Sequence, residues 1–281
     1  MKPKPIWSVI LWHTLRTGYQ DNSTRESGMA AGMGILSGDY SVYGILFAAG
    51  AVSYMISTLS GGGGSLLLVP ILNFLIGGRA TAPVVNLGNL IGEPVRLIMF
   101  WKHINWKISK YYVIPAVCGT LLSAWLFSTV RLEWLRLIVG LFLISTVFQY
   151  RFGKIKRSFP MTSKWFGPLG FVIGFFSTLI GAVGPVLNPF YLNYGIEKEP
   201  MIATKTANSF MVGLVQISSY TALGNLHGKL WVYGFVLGAG ASVGNWVGKA
   251  YLKKINGTFF RKLVIAVMVI SGIILIIDTF S

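Results

Sequence analysis

The stretch Ser57-Thr58-Leu59-Ser60-Gly61-Gly62-Gly63-Gly64-Ser65 places four consecutive glycines between two apolar runs. A related stretch follows 120 residues later, where Ser177-Thr178-Leu179 precedes Gly181 and Gly184. Glycines in such apolar surroundings break a helix, free backbone N–H groups and let another group approach the chain closely. The repeated pattern indicates an internal duplication and predicts a buried binding site. The alternative is that the glycines only allow tight helix packing.

The composition places the chain in the class of integral membrane proteins. Of its 281 residues, 53% are hydrophobic and only 11% are charged, and the mean hydropathy is +0.64. A soluble globular domain carries about a quarter of charged residues and is far less apolar. We therefore expect a chain that lies in a lipid bilayer.

The basic charge has a membrane explanation. A formal charge of +16 arises from 24 Lys and Arg against 8 Asp and Glu, which in a soluble protein would suggest a nucleic-acid partner. Here the basic residues cluster in short gaps between apolar runs, as in loops held on the cytoplasmic side. We expect the bilayer and a small anion as partners, and no nucleic acid. The single Cys118 excludes an intrachain disulfide and a Cys-based metal site, and we expect neither a metal nor a cofactor.

The apolar runs define the organisation of the chain. A polar extension at 1–41 precedes a first transmembrane repeat at 42–150, with runs at about 42–60, 64–77, 80–101, 108–128 and 132–150. A basic cytoplasmic linker at 151–164 leads to a second repeat at 165–281, with runs at about 165–181, 184–195, 200–223, 229–250 and 258–278. Most runs have the roughly 20 residues that span a bilayer, and the second run of each repeat is shorter. We expect half-helices or strongly tilted spans there.

The two sets of five runs align beyond the glycines. At a constant spacing of 125, four residues of the first set match four of the second, namely Trp106, Ala116, Gly119 and Arg136 with Trp231, Ala241, Gly244 and Arg261. Each set crosses the membrane an odd number of times, so the second repeat is expected to be inverted. The gaps 102–110, 151–164 and 249–262 then share one side and collect 13 basic residues and no acidic one. That side is expected to be the cytoplasm, with both termini outside.

These features predict an all-α polytopic membrane protein with two inverted repeats and broken helices at the glycine stretches. Inverted repeats with short or glycine-interrupted segments at corresponding positions are typical of secondary transporters, whose site lies near the midplane between the repeats. The rival functions are an anion channel, which would need a continuous pore, and a membrane-embedded enzyme, which would need converging catalytic groups. No metal-ligand spacing, phosphate loop or catalytic motif is present.

The glycine stretch with Pro70 beyond it, the duplicated half and the chain length together resemble the TauE/SafE family of membrane permeases, the sulfite exporter family. The resemblance covers residues 42 to 278 roughly. It implies ion-coupled transport of sulfite, thiosulfate, small organosulfonates or related small anions. The two copies diverge, since Gly62, Gly63 and Ser65 correspond to Ala182, Val183 and Pro185. The two halves therefore need not contribute equally.

The candidate anion ligands are mostly neutral donors. A short helix that begins near Gly64 or Gly184 would present N–H groups and its positive dipole end to the site. Hydroxyls add to these donors, and the full set from the two stretches is Ser57, Thr58, Gly61, Gly62, Gly63, Gly64, Ser65, Ser177, Thr178, Gly181 and Gly184. The alternative for the hydroxyls is a hydrogen bond to their own helix backbone. Gly64→Val and Gly184→Val are expected to fold without binding the anion, and Gly238→Ala is expected to be tolerated.

Polar groups also interrupt two matching apolar runs. Asn86 and Asn89 lie in the third run, and Thr206, Asn208 and Ser209 lie in the eighth. Unsatisfied polar groups are costly inside a membrane, so these side chains are candidate substrate ligands. The alternative is interhelical hydrogen bonding alone.

Three charged residues lie inside apolar runs and are functional candidates by default. Lys205 is a candidate anion ligand, and Glu93 is a candidate for carrying a coupling proton. The alternatives are that Glu93 pairs with Arg96, three residues away, and that Lys205 extends to the cytoplasmic interface. The glycines at 240, 244 and 248 predict close helix packing, within the chain or in a homodimer.

The topology can be tested with reporter fusions. Fusions at Lys156 and Lys254 are expected to report the cytoplasm, because both positions lie in basic gaps, and a fusion at Ser281 is expected to report the outside. Cytoplasmic signals at both Lys156 and Ser281 would contradict the inverted arrangement.

Overall fold

The computed structural model describes residues 39–127, 141, 161–181, 183–252 and 254–280. The chain divides into two units, Met1–Val42 and Tyr43–Ser281, and the packing and the cavity reported below belong to the second. The N-terminal extension up to residue 38, the fifth apolar run except for Leu141, and linker residues 151–160 lie outside the described residues.

All regular secondary structure in the described ranges is helical, as predicted. The nine α-helices are α1 (Asp39–Leu59), α2 (Gly64–Ile76), α3 (Gly78–Phe100), α4 (Trp106–Phe127), α5 (Phe166–Ile180), α6 (Asn188–Tyr194), α7 (Lys198–Ala222), α8 (Lys229–Leu252) and α9 (Gly257–Phe280). Short 3₁₀ turns at Trp101–His103, Ser163–Trp165 and Gly184–Leu187 precede α4, α5 and α6.

The helices follow the apolar runs of the sequence to within about three residues at each end, except that α6 begins four residues into its run, after the 3₁₀ turn Gly184–Leu187. Three of them, over Tyr40–Leu59, Ser163–Ile180 and Lys229–Leu252, are long and apolar enough to cross a membrane by length and composition. The 13 residues of α2 reach about 20 Å at about 1.5 Å per residue, less than the roughly 30 Å of a hydrocarbon core. Helix α2 is thus too short to span the bilayer as a straight helix.

The first glycine stretch breaks the chain between α1 and α2. Gly61, Gly62 and Gly63 have φ values of 68°, 128° and 105°. Residues with a Cβ rarely adopt three such values in succession, and glycine does so at little steric cost. Among the described residues of the break between α5 and α6, Gly181 has a positive φ of 84°, and its N–H donates to the Ser177 carbonyl over 2.9 Å. Both breaks therefore require glycine for conformational reasons.

Small residues let two pairs of helices pack with their backbones in contact. Between α1 and α8, a Cβ added to Gly244 would lie 2.0 Å from the Ala51 carbonyl oxygen. Between α4 and α5, a Cβ added to Gly119 would lie 2.2 Å from the Phe171 carbonyl oxygen. Because a Cβ cannot approach a backbone atom that closely, both glycines are required by packing. Gly240 and Gly248 also face α1, which confirms the expected packing within the chain.

The contacts of the two helix pairs repeat at the spacings seen in the sequence. Gly119 and Gly244 differ by 125 in number, and the residues they face, Phe171 and Ala51, differ by 120. In the same way, Gly170 of α5 faces the Tyr112 carbonyl and Gly50 of α1 faces the Leu237 carbonyl. The first helix of each half thus packs on the fourth helix of the other half.

Helices α3 and α7 fill the space between these pairs. Helix α3 packs on α8, where Asn245 donates from Nδ2 to the Gly92 carbonyl over 2.9 Å. Helix α7 packs on α3 through a buried cluster that includes Leu87, Ile217 and Tyr220. A Cβ at Gly238 would lie 2.5 Å from Cβ of Ile91. The expectation that Gly238→Ala is tolerated is therefore wrong, because this glycine lies in the α3–α8 contact.

The packing assignment predicts opposite effects for two glycines. Gly244→Ala is expected to cost about 1–3 kcal/mol because it forces α1 and α8 apart. Gly44→Ala is the matched control, since a Cβ there meets no atom within 4 Å and alanine favours the helix by up to about 1 kcal/mol. Thermal unfolding of the purified variants in detergent measures both. Equal melting temperatures for Gly244→Ala and Gly44→Ala would contradict the packing assignment.

Candidate functional site

A cavity of about 100 Å³ lies inside the helix bundle, between the two chain breaks. Fourteen of the sequence-predicted residues line it: Ser57, Gly62, Gly63, Ser65, Asn86, Asn89, Glu93, Arg96, Ser177, Gly181, Gly184, Lys205, Thr206 and Ser209. Pockets for drug-sized ligands and cofactors usually measure about 300–1,000 Å³. The size of this cavity suits a small ion.

The lining brings together groups from both halves of the sequence. The first half supplies the ends of α1 and α2 and one face of α3, and the second half supplies α5, the second break and one face of α7. The matching polar segments that contain Asn86 and Thr206 therefore meet at one place. Both glycine stretches border the same cavity, through Gly62 and Gly63 on one side and Gly181 and Gly184 on the other.

Lys205 lies between the two glycine stretches and is only 9% exposed. Its Nζ donates to the Gly184 carbonyl over 2.9 Å, to the Gly61 carbonyl and to Oδ1 of Asn188. The side chain is therefore directed into the bundle. The alternative in which Lys205 extends to the cytoplasmic interface is wrong for this conformation.

Glu93 and Arg96 lie on the same side of the cavity, on α3, and both are buried. The Ser209 side chain hydrogen-bonds to the Glu93 carboxylate, and the Arg96 charge acts on it. Oε2 of Glu93 and Nε of Arg96 have no hydrogen-bond partner in the protein. Because a buried charged atom without a partner is costly, Nε of Arg96 favours an acceptor such as an anion, whereas Oε2 of Glu93 favours a proton or another donor.

Several amide and hydroxyl groups support the cavity wall. Asn86 donates from Nδ2 to the Tyr220 hydroxyl over 3.1 Å, and Gln216 donates from Nε2 to Oγ of Ser177 over 2.9 Å. The Tyr54 hydroxyl donates to Oδ1 of Asn89. These bonds hold the polar side chains of α1, α3, α5 and α7 in fixed positions.

Five predicted residues do not line the cavity. Thr58 donates to Oδ1 of Asn245 over 3.0 Å, and Thr178 donates to the Gly174 carbonyl of its own helix over 2.9 Å. Asn208 donates to the Tyr191 hydroxyl over 3.1 Å. The alternatives considered for these side chains therefore hold here. Thr58 and Asn208 form hydrogen bonds between helices, and Thr178 bonds to the backbone of its own helix. Of the remaining two, Gly61 accepts a hydrogen bond from Lys205 at its carbonyl, and Gly64 begins α2 against the backbone of α1.

The two glycines that begin the short segments differ in their surroundings. A Cβ at Gly64 would lie 2.0 Å from the Ser53 carbonyl oxygen. The expectation that Gly64→Val folds is therefore wrong, because this position is closed by packing. A Cβ at Gly184 meets nothing closer than the Gly63 nitrogen at 3.8 Å. A side chain at 184 would point at the backbone N–H where α2 begins.

The sequence did not identify seven lining residues. They are Tyr54, Tyr112, Ile173, Val183, Leu187, Val212 and Gln216. Gln216 could have been predicted from the sequence, since an amide in the middle of an apolar run is expected to face a polar group. The apolar and aromatic residues carried none, because such residues are common on every face of a membrane helix. Within the described residues, no group of His, Cys, Asp and Glu side chains is arranged to hold a metal ion.

Comparison with known proteins identifies a family. The family model for the sulfite exporter TauE/SafE matches residues 46–275. None of the curated proteins matches the chain, and no solved structure matches it. The matched range contains all the residues that line the cavity.

The different surroundings of the two glycines predict different stabilities. Gly184→Ala is expected to keep a melting temperature close to that of the unmodified protein, because the added Cβ makes only van der Waals contact. Gly64→Ala is expected to lose about 1–3 kcal/mol through the clash with the α1 backbone. Size-exclusion chromatography and thermal unfolding compare the two variants. A less stable Gly184→Ala than Gly64→Ala would contradict the geometry.

Proposed function

The chain belongs to the sulfite exporter TauE/SafE family, and from this premise we propose which solute it moves and how. Because the family is named for sulfite export, we propose that the chain acts as a membrane transporter and not as an enzyme. Its proposed substrate is a small sulfur oxyanion or organosulfonate, such as sulfite, thiosulfate or a sulfoacetate-like compound. The protein would move this anion across the cytoplasmic membrane by secondary transport.

The observation that carries this proposal is the charge of the cavity. Arg96 and Lys205 each supply a positive charge and Glu93 one negative charge, so the lining has a formal charge of +1 when Glu93 is ionised. Nε of Arg96 is a buried donor without a protein partner, and a guanidinium group matches the oxygen geometry of an oxyanion. A small anion would supply the missing acceptor for this donor.

Backbone donors add to the positive charge. Helix α2 begins at Gly64 next to the cavity, and no side chain caps its N-terminus. The first N–H groups of a helix have no partner within the helix, and the positive end of the helix dipole favours an anion. We therefore expect Gly184→Val to obstruct these amides and weaken anion binding. Side-chain hydroxyl and amide groups, among them those of Ser57, Ser65 and Asn86, would complete the ligand set.

The inverted repeat is part of the same proposal. The repeated contacts between the first and fourth helices of opposite halves support an internal duplication, and the charge of the loops supports opposite orientations of the two halves. In this arrangement the chain crosses the cytoplasmic membrane several times with both termini outside, and the short segments approach the midplane from opposite sides. The anion would then move as the two halves rock around a central site.

Glu93 is the proposed site of a coupling proton. A doubly charged anion in a cavity of formal charge +1 leaves one excess negative charge, and protonation of Glu93 removes it. Anion binding and protonation therefore favour each other, as linkage requires. The groups that act on Glu93 are Arg96 and Ser209, with Tyr54 from α1 facing the same pair.

The substrate is tested by ligand-dependent stabilisation and transport. Purified protein is screened by thermal shift against sulfite, thiosulfate, sulfoacetate, taurine and sulfate, and a ligand that binds is then tested for saturable counterflow in proteoliposomes. Counterflow is expected of a transporter, whereas unsaturable flux would indicate an anion channel and product formation an enzyme. Absence of binding by every sulfur anion would contradict the proposal.

Arg96 is expected to be the main charged ligand. Arg96→Gln removes a charge-assisted hydrogen bond of about 1.5–3 kcal/mol, which corresponds to a loss of affinity of about 10- to 150-fold. Arg79→Gln is the matched control, because Arg79 lies on the same helix and is exposed. Titration calorimetry with the best ligand measures both. Equal affinities of Arg96→Gln and Arg79→Gln for the ligand would show that Arg96 does not bind the anion.

Proton coupling is tested with Glu93→Gln, which is a permanent analogue of the protonated side chain. Thiosulfate is the suitable probe because it stays doubly charged from mildly acidic to neutral pH. The affinity of the unmodified protein for thiosulfate is expected to rise as the pH falls, and that of Glu93→Gln is expected to be high and independent of pH. A variant that keeps the pH dependence would exclude Glu93 as the coupling group.

A further inference from the structure

We infer that the Lys205 ammonium group is a tethered cation in an oxygen cage built by the two chain breaks, where it takes the place of a free monovalent cation. The cage consists of the Gly61 carbonyl, the Gly184 carbonyl and Oδ1 of Asn188. Lys205 is then a positioning residue, and the anion is met directly by Arg96. The cage exists whichever anion the cavity holds.

The number of hydrogen bonds made by Nζ of Lys205 matches the charged form of its side chain. A lysine ammonium group has three N–H donors and no acceptor. The three oxygens of the cage accept one hydrogen bond each, so all the donors of Lys205 are used. A neutral amine has only two N–H groups and would leave one oxygen facing its lone pair. The three acceptors match the charged ammonium form of Lys205, which in this conformation has no N–H left for an anion.

The oxygens come from two parts of the chain. Gly61 lies in the first break, after the end of α1, whereas Gly184 and Asn188 begin the consecutive 3₁₀ turn and α6 of the second break. Lys205 itself belongs to α7, so the cage ties together three segments from both halves. Asn188 is fully buried. The tie therefore holds the two glycine stretches on opposite sides of the cavity at a fixed separation.

The chain leaves room for the ammonium group at one particular glycine. A Cβ at Gly62 would lie 2.5 Å from Nζ of Lys205 and 3.8 Å from Oδ1 of Asn188. Gly62 also has a φ of 128°, which directs its carbonyl and N–H as no L-residue readily does. Both the space and the backbone conformation at this position fit a cation between the breaks.

A cage of neutral oxygens is the chemistry that binds alkali cations. Unwound backbone carbonyls at broken membrane helices coordinate Na⁺ in ion-coupled transporters, and such carbonyls replace the hydration shell of an ion. Here the same kind of site is filled by a side chain of the protein. The tethered charge makes the arrangement of the two breaks independent of Na⁺, and its field still favours an anion in the neighbouring cavity.

The inference predicts that removal of the Lys205 ammonium group creates a binding site for a free monovalent cation. Lys205→Ala, Lys102→Ala and the unmodified protein are purified, and their melting temperatures are measured in choline, sodium and ammonium chloride at equal ionic strength. Lys102 is the matched control, because it is an exposed lysine. In choline, which is too large for the cage, Lys205→Ala is expected to melt several degrees below the other two proteins.

Ammonium or sodium ions are expected to raise the melting temperature of Lys205→Ala saturably towards that of the unmodified protein, by mass action on the empty cage. The other two proteins are expected to show no such rise. Failure of both ions to stabilise Lys205→Ala, or a melting temperature in choline equal to that of the unmodified protein, would overturn the inference.

A second variant decides the matter if Lys205→Ala does not fold in any of the three salts. Asn188→Ala removes one oxygen of the cage and keeps the lysine, so it is expected to melt several degrees lower in all three salts, with no stabilisation by sodium or ammonium. An unchanged melting temperature would overturn the inference. These measurements contain no sulfur anion, so their outcome is independent of whether the proposed substrate is correct.

Discussion

Polar backbone buried inside an apolar bundle is the constraint on which the structure depends. The glycine stretches end α1 and α5 within the bundle and leave carbonyl and N–H groups that the helices do not satisfy. The Gly61 and Gly184 carbonyls bond to one ammonium group, that of Lys205. Gly63 and Ser65, on either side of the first residue of α2, line the cavity instead. The two breaks thus present oxygens to a cation of the protein and, in the proposed function, donors to a small anion.

The surrounding helices keep this arrangement rigid. Backbone contact between α1 and α8, and between α4 and α5, depends on glycines whose Cβ would overlap a carbonyl of the partner helix. In a membrane, where lipid competes for apolar side chains, such close approach and interhelical hydrogen bonds drive association. The bond of Asn245 to Gly92 and that of Thr58 to Asn245 join three helices beside the cavity. The frame is built from both halves, so movement of one half against the other would change the cavity.

Much of this architecture is encoded in local sequence patterns. The apolar runs predicted the helices, and the glycine stretches predicted where helices end, because both depend on neighbouring residues in the chain. Polar side chains in apolar runs, such as Asn86, Glu93 and Lys205, indicated the cavity because burial of such groups requires a partner. Three-dimensional neighbours decided the rest. Gly64 and Gly184 occupy matching positions, and only the structure separates a glycine closed by the α1 backbone from one open towards Gly63.

The location of the anion tests the central claim most directly. Selenite has the shape of sulfite and contains selenium, which is an anomalous scatterer. The anomalous difference map from crystals grown with selenite therefore distinguishes the anion from water and protein atoms. The account predicts one strong selenium peak in the cavity, within hydrogen-bonding distance of Arg96 and near the start of α2. A bound selenite located elsewhere, with no peak between the two glycine stretches, would contradict it.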